Sequence, residues 1–468
     1  MILNLDASLV SLAKSLNKSI YVVGGTVRNA ILGFQGLTDI DLCGAFTTEE
    51  LEPFLYSFGF NLIATYKTTG TLVFAKNDIK YEYTTLRKEE YAKGGNYKPI
   101  SVEFVDDVFL DAKRRDFKCN AIYYDIKNAE ILDPLDGVKD VQNKVLDTVI
   151  EPERVFRSDG LRLLRLARFA GELNFKPTLE VLSAMEKYSD NILDIKSERI
   201  FDEIKKILVA DEKYPFSDKN GHYTALKILS ETKVLDKIIP ELTLGRNMEQ
   251  RKDYHSYDVL EHTLRCVLYA RRDVRLSALL HDVAKPRCKI DTGEYYKHDI
   301  VGKDLAKKVL QRLKADNKTI EEVVFLVGAH MLDMNSDMRV NKLKLFIVKN
   351  YQYVDKLLAL KQADYMALRD YVDTCPTVIK WQNIIAEMKS INTPFFIKDL
   401  AISGKDLIKL GLKGKKIGET QKKLFELCVL NPELNRKEKL LSLLSSKGLK
   451  FDKTKKKSKI KGSKIRSK

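Results

Sequence analysis

The segment Tyr21–Cys43 most constrains how this 468-residue chain can fold, because it combines a glycine turn with two closely spaced carboxylates. The apolar run before Gly24 and Gly25 predicts a strand, a short helix follows the turn, and Asp39 and Asp41 lie on a second strand. Residues two apart on a strand project from the same face, so both carboxylates are available side by side. Mg²⁺ prefers such oxygen ligands together with substrate phosphate oxygens.

The glycine turn adds a second feature to this segment. Gly24 and Gly25 let backbone amides approach an anion at the start of the helix. Arg28 lies one turn further on and is placed to hold a phosphate or a sugar. An ordinary glycine turn followed by a surface strand is the alternative. The ordered combination predicts a phosphate and metal site.

Alternating apolar residues predict three further strands, Asn61–Tyr66, Thr71–Lys76 and Ile79–Thr85. Glu82 in the third of these is a candidate third carboxylate, which a two-metal site requires to complete its ligand shell. An exposed strand glutamate with no role is the alternative. The following segment, Arg87–Pro99, is polar and contains glycine, and this composition predicts a mobile loop.

A dense patch of charge follows. Arg114, Arg115 and Asp116 stand together, and a carboxylate such as Asp116 can orient an arginine through a bidentate pair. The apolar residues 121–124 predict a strand that anchors the patch. The turn-forming residues from Asp133 to Asp140 predict the end of the first domain.

From about residue 151 the apolar periodicity becomes helical. Charged residues recur at steps of three and form a stripe along one helix surface. A solvated face or a ladder of ion pairs is the alternative to anion or base recognition, which we favour. Leu161, Leu164 and Phe169 are predicted to be core. The stripe consists of Asp159, Arg162, Arg165 and Arg168.

Composition indicates the kind of partner. The formal net charge is +16, and residues 451–468 alone contain nine lysines and arginines against one aspartate. This balance favours a polyanionic partner, most simply nucleic acid. The six cysteines are widely spaced, which predicts free thiols in a cytoplasmic protein. The sequence shows neither a signal pattern nor an apolar run long enough for a membrane span, so we expect no membrane association.

Five motifs in this order resemble those of class II tRNA nucleotidyltransferases, the bacterial CCA-adding enzymes, and of the related bacterial poly(A) polymerases. The resemblance covers roughly the first 170 residues. The motifs are Gly24-Gly25-x-Val27-Arg28; Asp39-x-Asp41; Arg114-Arg115-Asp116-Phe117-x-x-Asn120-Ala121; Asp133-Pro134 with Gly137 and Asp140; and Asp159-x-x-Arg162-x-x-Arg165-x-x-Arg168-Phe169.

The resemblance implies a fold and a chemistry. The expected fold class is α+β, with a polymerase-β-like nucleotidyltransferase head and mixed sheet, then an all-helical neck, an HD body and a tail. Asp39 and Asp41 would bind two Mg²⁺ ions. Glu82 is the candidate for a third ligand. Gly25 and Arg28 would contact the triphosphate or ribose. The nucleotide pocket would be formed by Arg115, Asp159, Arg162, Arg165 and Arg168.

The implied reaction is attack of an RNA 3′-hydroxyl on the α-phosphate of CTP or ATP. Arg162 would donate to the base, and Asp159 would accept from the exocyclic amine that cytosine and adenine share; uracil and guanine present a carbonyl there. The sequence departs from the family pattern at several positions. Asn29 and Ser158 each stand where the family usually has an acidic residue. Lys118-Cys119 and Leu135-Asp136 also differ from the residues usual in the family.

A second constellation lies between residues 255 and 330, which contain five of the six histidines. Its order resembles that of an HD metal-binding domain. Imidazole and carboxylate ligands suit a transition metal such as Mn, Fe, Ni or Zn. Isolated structural histidines are the alternative. The resemblance implies His262, His281, Asp282 and Asp364 as central ligands, with His298 and His330 available to a second ion, and it raises the possibility of phosphohydrolase activity.

We expect a head over residues 1–145, a neck with the base-reading helix over 146–245, an HD domain over 250–370 and a tRNA-binding helical tail over 371–450. Residues 451–468 are expected to be a disordered basic extension. The leading hypothesis is CCA addition to tRNA from CTP and ATP, with Mg²⁺. A poly(A) polymerase or A-adding enzyme of the same family, and an HD phosphohydrolase with an RNA-binding head, remain the alternatives.

Overall fold

The computed structural model describes residues 2–36, 39–91, 99–251 and 253–445. The chain divides into two compact units, Met1–Leu332 with Lys356–Asp373, and Asp333–Asp355 with Thr374–Lys468. The segment 333–355, which we predicted as part of the HD domain, belongs to the second unit. The predicted basic extension, 451–468, lies outside the described residues.

The first unit begins with an α+β head. Its described residues form a seven-stranded mixed sheet in the order β3-β4-β5-β2-β1-β8-β9, in which β2 and β5 are parallel and the other neighbours antiparallel. The strands of this sheet are β1 (Ile20–Val23), β2 (Asp39–Gly44), β3 (Asn61–Tyr66), β4 (Thr71–Lys76), β5 (Ile79–Thr85), β8 (Tyr123–Asp125) and β9 (Glu130–Leu132). Between β5 and β8 in the chain, β6 (Arg87–Tyr91) and β7 (Pro99–Phe104) form a separate hairpin.

The helices of the head lie between its strands in the chain. They are α1 (Ala7–Ser15), α2 (Gly25–Ile31), α3 (Thr48–Ser57), α4 (Val108–Lys113) and α5 (Gly137–Asn143).

Alternating side chains explain why the central strands form. Ile40 and Leu42 of β2 and Tyr81 and Tyr83 of β5 are buried, while the residues between them face outward. This period of two gives a sheet with one core face and one open face. The mixed sheet, followed by helices, confirms the predicted fold class.

The prediction of a loop over 87–99 was wrong at both ends. Residues Arg87–Tyr91 and Pro99–Phe104 pair as the antiparallel hairpin of β6 and β7, and residues 92–98 lie outside the described part of the chain. The strand forms despite its polar composition because Glu89 is buried between two arginines. Its carboxylate accepts from Arg87 Nε at 2.6 Å and from Arg114 Nη1 at 3.5 Å.

The rest of the first unit is helical apart from one two-stranded parallel pair, β10 (Val145–Leu146) with β11 (Lys176–Pro177). Its helices are α6 (Pro152–Ser158), α7 (Leu161–Leu173), α8 (Leu179–Lys187), α9 (Ser197–Ile207), α10 (Gly221–Glu231), α11 (Val234–Ile238), α12 (Pro240–Thr243), α13 (Val259–Tyr269), α14 (Arg275–Leu280), α15 (Lys285–Thr292), α16 (His298–Arg312) and α17 (Asn317–Ala329).

Helix α7 carries the predicted arginine stripe and packs closely on α10. A Cβ at Gly171 would lie 2.2 Å from the backbone oxygen of Gly221, and a Cβ at Gly221 would lie 2.5 Å from the oxygen of Gly171. Only two glycines allow this backbone approach. The pair therefore fixes α7, and the side chains it presents to the head, against the following helices.

The second unit is helical. Its helices are α18 (Val340–Lys349), α20 (Pro376–Ser390), α21 (Gly404–Lys409), α22 (Lys415–Leu430) and α23 (Lys437–Ser445), while α19 (Tyr351–Arg369) crosses the division between the units. The fully buried Trp381 donates to Asp333 at 2.8 Å, which joins both segments of the unit.

Two further observations concern the chain as a whole. All six cysteines are buried and none forms a disulfide. In the part of the chain that the structure describes, no helix combines the length and the apolar character that crossing a bilayer requires.

Candidate active site

The three predicted carboxylates meet on the open face of the head sheet. Asp39 and Asp41 lie on β2, and Asp41 is the register partner of Glu82 on the parallel strand β5. All three side chains are exposed, opposite the buried face of the same strands. Loss of water around the carboxyl of Asp41, and then the negative charge of Glu82, raise its pKa. The positive charges of Arg115 and Arg165 lower the pKa. A set of adjacent carboxylates on one open face suits hydrated Mg²⁺.

The glycine turn lies directly against this carboxylate set. Gly24 has φ +76°, and a Cβ at this position would lie 3.3 Å from Asp41 Oδ2. The positive φ favours glycine, and a Cβ here would make a tight contact with Asp41. Helix α2 begins at Gly25. The turn therefore leaves backbone beside the carboxylates, as the sequence predicts for a phosphate site.

Arg28 is almost fully buried behind the turn. It donates to Asn29 Oδ1 at 2.9 and 3.1 Å, to Asn120 Oδ1 at 2.5 Å and to the hydroxyl of Tyr214 at 3.3 Å. Within the described residues, no carboxylate forms an ion pair with it. A buried guanidinium held only by neutral oxygens keeps its positive charge uncompensated, which favours an anion nearby.

An open cleft of about 730 Å³ brings these features together with the arginine stripe. Seven arginines contribute to its wall, together with four carboxylates, so the wall is positively charged overall. The charged residues that line the cleft are Arg28, Arg87, Arg114, Arg115, Arg162, Arg165, Arg199, Asp41, Glu89, Asp116 and Asp159.

Two buried aspartates hold the arginines of the cleft in place. Asp111 accepts from Arg114 Nε at 2.7 Å and from Arg115 Nη2 at 2.9 Å. Asp116 accepts two hydrogen bonds from Arg165, at 2.6 and 2.8 Å. The predicted role of Asp116 in orienting an arginine therefore applies to Arg165, which comes from α7 and not from the neighbouring sequence.

Asp116 is buried, and its charge depends on these partners. Burial alone would raise its pKa, but the guanidiniums of Arg165 and Arg162 and the hydrogen bonds from Arg165 and Asn120 hold the pKa well below its usual value. The carboxylate is therefore ionised throughout the neutral range, and it neutralises Arg165 while fixing its orientation.

The predicted base-reading pair lies at the junction of α6 and α7. Asp159 Oδ1 accepts from the backbone nitrogen of Leu161 at 2.9 Å, and burial raises the pKa of this carboxyl. Arg162 donates to the backbone oxygen of Arg114 at 2.5 Å and to Ser158 Oγ at 2.8 Å. Both side chains line the cleft. Backbone contacts from the head therefore orient the arginine relative to the aspartate.

Arg168 does not join the cleft wall. Its guanidinium is buried and donates to Glu203 at 2.7 Å and to Glu172 at 3.0 and 3.1 Å. Glu172 stands four residues after Arg168, so this ion pair could have been predicted from the sequence. The nucleotide contact of Arg168 stays a prediction, and in the structure its ion pair with Glu203 ties α7 to α9.

Two residues that we predicted as core have a second role. Leu161 and Phe169 are buried, and both also form part of the cleft wall. The ring of Phe169 lies 5.4 Å from the guanidinium carbon of Arg28 and 5.2 Å from that of Arg165. The Phe169 ring therefore lies near two guanidiniums of the cleft wall.

Several cleft residues had no signal in the sequence. Arg87 comes from the unpredicted hairpin, Arg199 comes from α9, and Tyr214 follows a short helical turn after α9. Arg199 Nη2 lies 3.8 Å from Asp159 Oδ2. None of these residues forms a spaced motif with its neighbours, because long-range packing brings each of them to the cleft.

The HD residues converge as a second, separate centre in the same unit. Asp282 lies in the middle: its Oδ2 is 3.1 Å from His281 Nε2 and 3.5 Å from His262 Nε2, and its Oδ1 is 3.2 Å from His298 Nε2 and 3.6 Å from His330 Nε2. On the first side, Asp364 Oδ1 lies 3.1 Å from His262 Nε2 and 3.6 Å from His281 Nε2.

These atoms fit metal ions. The Nε2 atoms of His262 and His281 and Oδ1 of Asp282 are buried and have no hydrogen-bond partner. Each imidazole is oriented through Nδ1, which lies within hydrogen-bond distance of a backbone carbonyl, as metal-ligating histidines require. The structure brings together all six predicted ligands.

Two neighbours of this centre were not predicted. The ammonium of Lys285 lies 2.6 Å from Asp282 Oδ2, and the ring of His255 lies 5.0 Å from that of His262. Both residues line a cleft of about 480 Å³ that opens beside the centre. Lys285 stands three residues after Asp282 on a helical turn, so the i,i+3 spacing was available as a signal.

Comparison with known proteins agrees with this arrangement. Family models match in succession: the poly A polymerase head domain over residues 20–147, the probable RNA and SrmB- binding site of polymerase A over 174–244, and the HD domain over 253–367. The fold and sites thus define a nucleotidyltransferase head followed by helical RNA-binding and HD domains.

The CCA-adding enzyme of Staphylococcus aureus (strain MRSA252) is 35% identical over 212 residues, which is 44% of this chain and 51% of that protein. This match therefore spans about half the length of that relative. The CCA-adding enzyme of Bacillus pumilus (strain SAFR-032) is 28% identical over 438 residues, 91% of this chain and 92% of that protein.

Among solved structures, the Bacillus stearothermophilus CCA-adding enzyme in complex with CTP has a TM-score of 0.63 at 22% identity, covering 94% of this chain and 98% of that one. The chain thus combines a poly A polymerase head domain with an HD domain and is similar over nearly its whole length to a CCA-adding enzyme.

Proposed function

We propose that this protein adds C, C and A in turn to the 3′ end of tRNA, from CTP and ATP, without a nucleic-acid template and with release of pyrophosphate. The observation that carries the proposal is that one cleft contains both Asp41, from the exposed carboxylate set, and the Asp159 and Arg162 pair. The long match to the Bacillus pumilus CCA-adding enzyme supports the same activity.

The carboxylates Asp39, Asp41 and Glu82 would hold Mg²⁺. Bound there, the ions would lower the pKa of the attacking RNA 3′-hydroxyl and neutralise charge on the leaving pyrophosphate. The protein's own contribution is positional. The Gly24 turn leaves space for the triphosphate, and Arg115 and Arg165, fixed by their aspartates, supply positive charge opposite the carboxylates.

Base selection is assigned to the residues at the start of α7. Asp159 accepts a hydrogen bond from the exocyclic amine of cytosine or adenine, and Arg162 donates to the ring nitrogen or carbonyl beside it. Uracil and guanine place a carbonyl oxygen against the carboxylate and are rejected. Because Arg162 is held by Ser158 and by the backbone of Arg114, the pair reads the base with little reorganisation.

tRNA is the proposed acceptor, held by the helical segments that follow the head. The net charge of +16 favours such a polyanion. In the predicted tail, the start of α21 is capped by its own sequence: Ser403 accepts from the backbone nitrogen of Asp406, and Asp406 in return accepts from that of Ser403. Assignment of this arm to the outer part of tRNA rests on charge and position.

A second activity, hydrolysis of a phosphate ester, is proposed for the HD centre. The observation that favours it is the convergence of four imidazole Nε2 atoms on the two oxygens of Asp282. This donor set fits two transition-metal ions, and Lys285 in the adjoining cleft supplies positive charge for a phosphate.

The decisive experiment gives the purified full-length protein a tRNA that lacks its CCA end, with CTP, ATP or both, and sequences the products. Addition of C-C-A followed by a stop supports CCA addition. A long A tract from ATP alone identifies a poly(A) polymerase instead. Absence of incorporation, together with phosphate release that Asp364→Ala abolishes, identifies an HD phosphohydrolase and refutes the proposal.

A further inference from the structure

Tyr214 occupies an unusual position for a residue outside every motif. It lies 186 positions after Arg28 in the chain, and its half-buried ring lines the cleft beside the glycine turn. We propose that Tyr214 binds the triphosphate of the incoming nucleotide, by donating a hydrogen bond from its hydroxyl to a phosphate oxygen. The inference rests on the proposed nucleotidyltransferase function.

The first argument concerns where Tyr214 stands in the cleft. Gly24 adjoins Asp41, a Cβ on Gly25 would lie 3.4 Å from Arg28 Nη2, and Arg28 Nη2 lies 3.3 Å from the Tyr214 hydroxyl. One guanidinium therefore separates the glycine turn from Tyr214. This places the phenol on the phosphate side of the cleft.

The second argument concerns the state of the hydroxyl. Its oxygen accepts a hydrogen bond from Arg28, so its own proton is available for another partner. In the segments that the structure describes, no group accepts that proton. Arg28 also places its guanidinium carbon 5.9 Å from the centre of the Tyr214 ring. A phenol that accepts from a cation is a stronger donor, and a phosphate oxygen is a strong acceptor.

The third argument is that the ring is held in place before any ligand binds. Tyr214 stacks on Phe216, with centroids 5.1 Å apart and planes 11° apart, and its centroid lies 6.0 Å from that of Phe34. Phe34 follows the helix that carries Arg28, and Phe216 follows Tyr214 itself. Contacts from both sides therefore fix the phenol, which limits the entropy lost on binding.

The test compares Tyr214→Phe with the wild type in nucleotide addition. Loss of one hydrogen bond to a charged oxygen is expected to raise KM about tenfold for CTP and for ATP alike. Inhibition by pyrophosphate, which carries the phosphates without a base, is expected to weaken by a similar factor. The preference for CTP and ATP over UTP and GTP should stay unchanged.

A control is available at Tyr188, directly after α8. Its hydroxyl accepts from Arg157 at 3.0 Å, and its ring lies 4.9 Å from that guanidinium, but Tyr188 lies outside the cleft and donates its own proton to Glu153 at 3.0 Å. Tyr188→Phe should leave KM and pyrophosphate inhibition unchanged. If Tyr214→Phe behaves in the same way, or lowers only the melting temperature, the inference is wrong.

A binding measurement separates this inference from the proposed function. Calorimetric titration of the full-length protein with pyrophosphate and Mg²⁺ requires no catalysis. An inactive wild type would refute nucleotide addition, while a weaker pyrophosphate affinity in Tyr214→Phe would still support the phosphate contact. Equal affinities in the two proteins would overturn that contact, whatever the activity.

Discussion

The nucleotidyltransferase cleft and the HD centre both present carboxylates that suit metal ions, and these carboxylates differ in exposure. At the cleft, Asp41 and its neighbours Asp39 and Glu82 all face solvent on an open sheet. In the HD centre, Asp282 is 1% exposed and His281 is fully buried. An exposed oxygen set suits Mg²⁺ that keeps part of its water and arrives with a nucleotide, whereas a buried nitrogen and oxygen set suits a resident ion.

The two sites also differ in how they manage positive charge. In the cleft, aspartates neutralise Arg114, Arg115 and Arg165, while Arg28 and Arg162 form no ion pair with any carboxylate of the described residues. In the HD centre, Lys285 pairs directly with Asp282 at 2.6 Å. Arginines without a carboxylate partner suit a large polyanionic substrate in the cleft. A single ammonium suits a small anionic substrate in the HD centre.

The strongest test of this difference between the two sites removes one carboxylate from each. Asp41→Ala should lower nucleotide addition about a thousandfold or more, because the loss of metal binding removes several kcal/mol of transition-state stabilisation. Asp282→Ala should leave addition near the wild-type rate and instead abolish retention of transition metal. Addition is measured with the tRNA assay, and bound metal is measured by mass spectrometry after gel filtration.

Asp41→Asn provides the matched control, since it keeps size and hydrogen bonding but removes the charge. It should be nearly as inactive as Asp41→Ala. Near-normal addition by either Asp41 variant would show that the metal assignment is wrong. A large loss of addition in Asp282→Ala would show that the two sites do not act independently.

The next prediction concerns Asp159, the cleft residue to which we assign base selection. Asp159→Ala should keep measurable addition but lose selectivity, raising UTP and GTP use relative to CTP and ATP by about ten- to a hundredfold. The carboxylate excludes those bases, and alanine does not. Competition assays with labelled nucleotides measure the ratio. An unchanged ratio, or a uniform loss with every nucleotide, would remove Asp159 from base selection.

These two sites were predictable to different degrees from the sequence. The residues that converge in the HD centre include all six that were predicted as ligands, because each was matched to the residue order of a known domain, and their metal contacts stay predictions. The strands β3, β4 and β5 were predicted with their observed limits, because apolar alternation is a local signal. The pairing of Asp41 with Glu82 supports the choice of Glu82, although its metal contact stays a prediction.

The errors came from polar residues buried by distant partners. Glu89 made β6 resemble a loop, because nothing in the local sequence shows that Arg87 and Arg114 surround it. Arg168 was assigned to the nucleotide pocket from its spacing; Glu172 and Glu203 pair with it in the structure, and its nucleotide contact stays a prediction. Tyr214 and Arg199 reach the cleft through packing alone. Charge and spacing locate a site, but tertiary contacts decide which charges face it.

The smallest expected effect tests whether the cleft's ion pairs also hold the fold. Asp116→Asn should lower the free energy of unfolding by about 2 kcal/mol at pH 7, a moderate value because Arg165 is 33% exposed. The folded pKa of Asp116 lies below its unfolded value, so its contribution is complete above about pH 4 and is lost as the pH falls further.

Urea unfolding of the wild type and Asp116→Asn at pH 7 and at pH 3.5 measures this difference, which should shrink at the lower pH. Asp202→Asn is the control, because its pair with Lys205 at 2.9 Å is exposed and should contribute little at either pH. A difference for Asp116→Asn that stays constant with pH would mean that packing, and not charge, stabilises this position. Arg165 would then be free to face the nucleotide, and the contrast between neutralised and unpaired arginines in the cleft would no longer hold.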